Sequence, residues 1–267
     1  MSSELQARAR GVRFSKWQAL GNSYLVVERA DAGEPLTAGR VRRLCDVGTG
    51  IGSHGVVEIV SRAGPSAEVV IWNPDGSVAE MSGNGTRIAA AWVSREVDAV
   101  EVDIQVGDRS VRARTSVGGL IEQELGQVEV GEPEVVDVHG NPVELVVVDV
   151  GNPHAVIETT EPARETLLRL GPLIETHARF PNRTNVQLAH AIGPHDVTAL
   201  VWERGAGETP ASGSSAVAVA AAAVAQSWCE SPVTVHMPGG DLIVRLVEGT
   251  AVLLGPAEEV CYGETTL

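Results

Sequence analysis

Three scarcities narrow the reading of this chain before any motif is considered. The first is cysteine. Only Cys45, Cys229 and Cys261 occur, at scattered spacings that offer neither a metal-ligand pattern nor a disulfide framework. They are expected to be ordinary buried thiols, the usual setting of free cysteine. The second is positive charge. Lys and Arg number 20 against 35 Asp and Glu, a formal net charge of −15. Such a surface repels polyphosphates and anionic membranes, so nucleic acid is not an expected partner. The third is a long hydrophobic run. The longest small-apolar stretch, 216–225, falls well short of the roughly 20 residues that span a bilayer. Residues 1–10 lack the apolar core of a secretory signal or an anchor. A cytoplasmic location with no membrane partner is therefore the expectation. What remains is a globular profile: 267 residues, 43% apolar and 21% charged, enough for one large domain or two ordinary ones.

Along the chain, β-branched segments punctuated by Gly, Pro or Asp read as strands at 23–28, 55–60, 68–72, 99–106 and 110–115. Between them, Ile88, Ala89, Trp92 and Val93 recur at helical spacing after a glycine-rich turn. The second half repeats the plan, with strands at 145–150, 155–158, 184–189 and 197–203. A turn and a helix over 215–228 follow, and strands at 233–236, 242–247 and 251–254 close the chain. The two turns correspond: Met81-Ser82-Gly83-Asn84-Gly85 and Ala211-Ser212-Gly213-Ser214-Ser215 lie 130 positions apart. The simplest architecture is two similar α/β domains facing each other, with the natural site in the cleft between them. The polar stretch 126–132 (GQVEVGE) marks the expected boundary, giving one domain over 1–126 and another over 127–255.

A Ser-Gly turn that opens an apolar helix aims free backbone N–H groups and a positive helix end at one small anion, and an α-carboxylate fits such a pocket. A glycine-permitted tight turn is the plain alternative at either turn alone. Neither turn is a dinucleotide fingerprint and no Walker sequence occurs. Four amide-bearing clusters sit at strand ends: Gly21-Asn22, Asn73-Pro74-Asp75-Gly76, Gly151-Asn152-Pro153-His154 and Asn182-Arg183-Thr184-Asn185. Amides both donate and accept, so converging Asn side chains suit a zwitterion, although each cluster taken singly reads as a turn former. Glu203-Arg204 places an acid beside a base just before the second turn.

These segments stand in the order found in diaminopimelate epimerases. The matches run from Phe14-Ser15-Lys16 and Leu20-Gly21-Asn22 through Gly50-Ile51-Gly52, Asn73-Pro74-Asp75-Gly76-Ser77 and Glu80-Met81-Ser82-Gly83-Asn84-Gly85 to Gly151-Asn152-Pro153-His154. They continue with Phe180-Pro181-Asn182-Arg183-Thr184-Asn185, Glu203-Arg204-Gly205, Gly207-Glu208-Thr209 and Met237-Pro238-Gly239-Gly240. The chain thus resembles that family over nearly its whole length. The resemblance implies two pseudo-symmetric α/β (α+β) domains, each a mixed sheet or barrel wrapped around a central helix, with residues 256–267 rejoining the first. It further implies an active site in the interdomain cleft, no cofactor, a homodimer, and inversion of LL-2,6-diaminopimelate to the meso form. By position, Asn22, Asn73, Asn152, Asn185, Glu203 and Arg204 resemble substrate-binding residues. Gly83-Asn84 and Gly213-Ser214 resemble the helix-start amides around the substrate carboxylate, and His154 and Glu203 resemble residues that tune proton transfer.

One departure falls on the proton-transfer pair itself, because Ser82 and Ser212 occupy the positions that are normally cysteine. A thiol becomes a usable base at a helix N-terminus, whereas a hydroxyl is a far weaker acid and needs a dedicated neighbouring base. Three accounts stay open: His154 and Glu203 supply that base, epimerisation has been lost, or the serines replace native cysteines. Gln18, Ser23 and His54 also depart, where relatives often carry His, Asp and Asp. Beside an epimerase stand two other readings, a dehydratase or double-bond isomerase on the same fold and a non-catalytic amino-acid binder.

Overall fold

A computed structural model of the chain describes residues 11–79, 82–116 and 118–267. Glu80 and Met81 of the first turn, Val117 and residues 1–10 lie outside the described residues. In chain order the elements begin with β1 (Val12–Ala19), β2 (Asn22–Glu28), α1 (Ala38–Cys45), β3 (Val56–Ala63), β4 (Ser66–Trp72), α2 (Gly83–Val97), β5 (Glu101–Val106), β6 (Arg109–Thr115) and β7 (Leu120–Gln127). They continue with β8 (Glu129–Val138), β9 (Asn141–Asp149), β10 (Pro153–Glu158), α3 (Arg164–Glu175), β11 (Asn185–Gly193), β12 (Asp196–Glu203) and β13 (Gly207–Thr209). The last are α4 (Gly213–Ala225), β14 (Val233–Met237), β15 (Gly240–Val247), β16 (Thr250–Pro256) and β17 (Glu258–Thr265).

The chain gathers into two compact units, one running to Ile121 and completed by Pro256–Leu267, the other spanning Glu122–Gly255. The polar stretch 126–132, from which a boundary is expected, is itself strand. β7 runs to Gln127, and β8 pairs antiparallel with β9 across a bulge between Val130 and Pro133. Gly131 and Pro133 at that bulge give a strand the composition of a turn.

In the first unit the pairings run β17, β1, β2, β3, β4, β5, β6, parallel at β2–β3 and β4–β5 and antiparallel elsewhere. Parallel neighbours need a crossover, and α1 and α2 supply the two. The second unit runs β8, β9, β10, β11, β12, β14, β15, β16, parallel at β10–β11 and β12–β14, where α3 and α4 cross over. β1–β6 with two helices are therefore repeated by β9–β12, β14 and β15 with two helices. α2 touches β1 to β6, and α4 touches β9 to β12, β14 and β15. The expected pair of mixed sheets, each around a central helix, is what the structure holds.

The sequences of the central helices follow from that enclosure. Gly213–Ala225 reads GSSAVAVAAAAVA, apolar on every side, and is buried from Ser215 through Ala223. Alanine combines the highest helix propensity with the small radius that lets strands close around a helix. α2 is thicker, burying Arg87, Ile88, Trp92 and Val93. α3 carries Gly171 because a Cβ there would stand 2.7 Å from Cγ of Trp202. Cys45 and Cys229 are buried as expected, but Cys261 is exposed, because nearly all of β17 lies on the surface. Among the described residues no helix is long and apolar enough to cross a membrane.

Candidate active site

The residues singled out above divide between the two units, and the serine of each unit opens its central helix. In the first, Ser82 is the N-cap of α2, and its Oγ accepts from the Gly85 N–H at 3.0 Å. The Tyr24 hydroxyl reaches the same oxygen at 3.1 Å. Gly83 and Asn84 form the first turn, and the buried Asn84 accepts from Arg87 Nη2 at 2.9 Å. Arg87 is wholly enclosed and donates from Nε to the Pro256 carbonyl at 3.0 Å. Burial lowers its pKa to about 10, which still leaves it charged at neutral pH. A fixed cation behind the positive end of α2 makes this helix start attractive to a carboxylate.

The amides of this half do two different things. Asn22 Oδ1 is shielded from solvent and has no hydrogen-bond partner among the described residues, an acceptor whose desolvation a ligand N–H would offset. Asn73 is turned into its own loop, donating to Ser77 Oγ at 2.9 Å, while Ser77 donates to Asp75. The three departing residues brace the Asn22 loop. Gln18 accepts from the Gly21 N–H at 2.8 Å and donates to Glu258 at 2.8 Å, and the Ser23 N–H donates to His54 Nδ1 at 3.1 Å.

In the second unit Ser212 is again an N-cap, only 4% exposed, but it gives α4 no side-chain cap. Its side chain instead acts on the Glu203 carboxyl at the end of β12. Burial pushes the Glu203 carboxyl above the ordinary carboxylate range, and the Ser212 hydrogen bond offsets part of that rise. His154 has other partners. It is fully buried, with Nε2 donating to Asn152 Oδ1 at 3.1 Å and Nδ1 accepting from Gln187 Nε2 at 3.0 Å. Burial first, then the Arg204 charge, drives its pKa down to about 3, against the Gln187 hydrogen bond, so the ring is neutral. Of the two side chains considered as a replacement base, Glu203 is the one whose pKa Ser212 shifts, while His154 bonds to Asn152 and Gln187.

Two loops frame Glu203. Asn185 donates to the Pro153 carbonyl at 3.0 Å and accepts from the Arg204 N–H at 2.9 Å, so it stitches β10 to the turn after β12. Arg204 is exposed and caps the Asn182 carbonyl at 3.2 Å. Beneath them the buried Glu175 accepts from Trp202 Nε1 at 2.7 Å, from the Gly205 N–H at 2.7 Å and from Arg183. Burial raises the Glu175 carboxyl, but these donors outweigh it and hold it below the usual range. Gly213 is buried and Ser214 partly exposed at the first turn of α4, and Ser215 accepts from Gln187 at 3.0 Å.

Reading from sequence missed Tyr24, Gln187 and Glu175. Tyr24 had a signal: Gly21-Asn22-Ser23-Tyr24 and Gly151-Asn152-Pro153-His154 are equivalent turns of the two repeats, so Tyr24 occupies the place of His154. Gln187 and Glu175 carry none, since their roles depend on contacts far along the chain.

Residues 14–135 and 146–260 match the family model described as diaminopimelate epimerase. The diaminopimelate epimerase of Pseudomonas fluorescens is 35% identical over an alignment covering 96% of this chain and 99% of its own. Two solved structures share the fold. A Bacillus anthracis phenazine biosynthesis protein of the PhzF family matches at TM-score 0.74 and 12% identity, covering 95% of this chain and 98% of that one. A hydroxyproline epimerase from Agrobacterium vitis matches at 0.67 and 16%, covering 96% and 91%. With the family model spanning most of both repeats and a relative above 30% identity end to end, the chain belongs to the diaminopimelate epimerase family.

Proposed function

We propose that this chain is a cofactor-independent amino-acid epimerase that converts LL-2,6-diaminopimelate to the meso form by moving the α-proton from one face of the carbon to the other. The observation that carries the reading is the Ser212–Glu203 pair. Ser212 leaves its own helix uncapped and acts on a buried carboxyl that can serve as its base. Because burial raises the affinity of Glu203 for a proton, it is a stronger base than an exposed glutamate. As Ser212 Oγ takes the α-proton, its own proton passes to Glu203. Ser82 delivers a proton to the opposite face. The positive ends of α2 and α4 hold the α-carboxylate and stabilise the charge that develops beside it. The orphan acceptor of Asn22 suits the substrate ammonium.

The test is to incubate the protein with LL-diaminopimelate in D2O and follow the α-proton by NMR. Deuterium should enter the α-position as the meso form accumulates. Loss of water with a new unsaturated product would make the chain a dehydratase instead, and binding without exchange would make it a binder.

A further inference from the structure

The serine of the second unit has a proton acceptor behind it, and the matching question is what stands behind Ser82. The Tyr24 hydroxyl lies 3.1 Å from Ser82 Oγ, on a ring that is only 6% exposed and packed in the core around α2. The ring has no room to move away. Gly55 on the neighbouring strand is bare because a Cβ there would stand 2.5 Å from Tyr24 Cε1, and Trp17 faces Tyr24 across the β1–β2 register. The other partner of Ser82 Oγ is the Gly85 N–H at 3.0 Å, a donor with no freedom to accept. A hydroxyl oxygen has two acceptor sites. The Tyr24–Ser82 hydrogen bond can run either way; in the sense in which the phenol donates, the amide and the phenol fill both acceptor sites, the Ser82 proton is left to face a ligand, and both donors stabilise negative charge on the oxygen.

We propose that Tyr24 is the proton source behind Ser82, the counterpart in the first unit of Glu203 behind Ser212; the proposal rests on the epimerase reading above. When the substrate carbanion forms after its α-proton has gone to Ser212 and the Ser212 proton to Glu203, the Ser82 O–H bond breaks and its proton forms the new C–H bond. The Tyr24 O–H proton passes to the Ser82 oxygen in the same step. The enzyme is left with a protonated Glu203 and a Tyr24 phenolate, and exchange with solvent restores the starting pair. In the reverse direction each transfer runs backwards. A phenol, with a free pKa of roughly 10, is a far better proton donor and acceptor than an unassisted serine hydroxyl. Tyr24 acts through Ser82 rather than on the substrate, so it positions and recharges the hydroxyl that does.

The experiment compares the full chain with Tyr24→Phe, which removes one oxygen and leaves the Gly85 contact to Ser82 in place. Epimerisation should lose about 10²–10⁴-fold in kcat with KM within a factor of a few. Deuterium should still enter, with retained configuration, the one antipode whose proton faces Ser212. Tyr24→His, which returns a titratable ring where the equivalent turn carries His154, should recover part of the kcat lost in Tyr24→Phe. Two results overturn the relay while leaving the epimerase reading intact: wild-type kcat in Tyr24→Phe, or equal kcat in the Phe and His variants with KM raised in both, the mark of a structural role. Absence of any α-exchange by the unaltered protein would overturn the relay together with the reading beneath it.

Discussion

The two helix starts share a topology, a Ser-Gly opening and a place in the repeat, yet they give their serines different partners. Ser82 caps its helix by accepting a backbone N–H and shares a hydrogen bond with a phenol; Ser212 leaves its helix uncapped and lowers the pKa of a buried carboxyl. The residues behind them differ accordingly. A neutral phenol stands on one side and a carboxyl with raised proton affinity on the other. In a reaction that removes a proton from one face and delivers one to the other, such a division gives weak acids a direction. Under the proposed reaction it takes the place of what two thiols would achieve through their own low pKa.

The largest effect that bears on this comparison should come from erasing it. With Ser82→Cys and Ser212→Cys together, both positions carry a group whose pKa approaches neutrality at a helix start. Initial rates of LL-diaminopimelate epimerisation under reducing conditions should then rise by about 10²-fold or more, with each single variant well short of the double. A double variant no faster than the parent would mean that the serines and their partners already do what the thiols would.

How much of this was legible beforehand depends on range. α2 and α4 were readable because a Ser-Gly opening followed by an unbroken apolar run is local information. So were β10 to β12, whose apolar residues recur through PHAVIE, NVQLAHAIG and DVTALVWE. α1 was not, since AGRVRRLC reads as polar and buries only Val41, Leu44 and Cys45 on one face. α3 hid behind Gly171 and Pro172, whose tolerance in a helix depends on Trp202 packing against the bare glycine. β1 was hidden by Arg13 and Lys16 on its more exposed positions, and β17 by a face left almost wholly to solvent. In the site, the serines and amides were visible as motifs. The partners of the serines were not, because Tyr24 and Glu203 reach them from separate strands.

A smaller effect separates the two serines by stability alone. Ser82→Ala removes an N-cap and should cost about 1 kcal/mol in urea unfolding at any pH, within the usual range for a lost cap. Ser212→Ala removes a side chain that lowers the Glu203 pKa, so its cost exists only while Glu203 is ionised. That cost should therefore be full at high pH and fade as pH falls through the raised Glu203 pKa, where the carboxyl protonates. Equal, pH-independent losses in both variants would erase the distinction between a capping serine and a base-paired one.

The central claim is that Glu203, acting through Ser212, receives the substrate α-proton, and the pH profile of α-deuterium exchange addresses it directly. Glu203 must be ionised to accept, and burial holds its pKa above the ordinary carboxylate range. Exchange by the unaltered protein should thus fall away on an acid limb lying above the roughly 4.3 of a free glutamate. Glu203→Gln should exchange about 10²–10⁴-fold more slowly and show no such limb. If Glu203→Gln exchanges at the parental rate along the same acid limb, the base lies elsewhere and the contrast between the two serines has no part in the reaction.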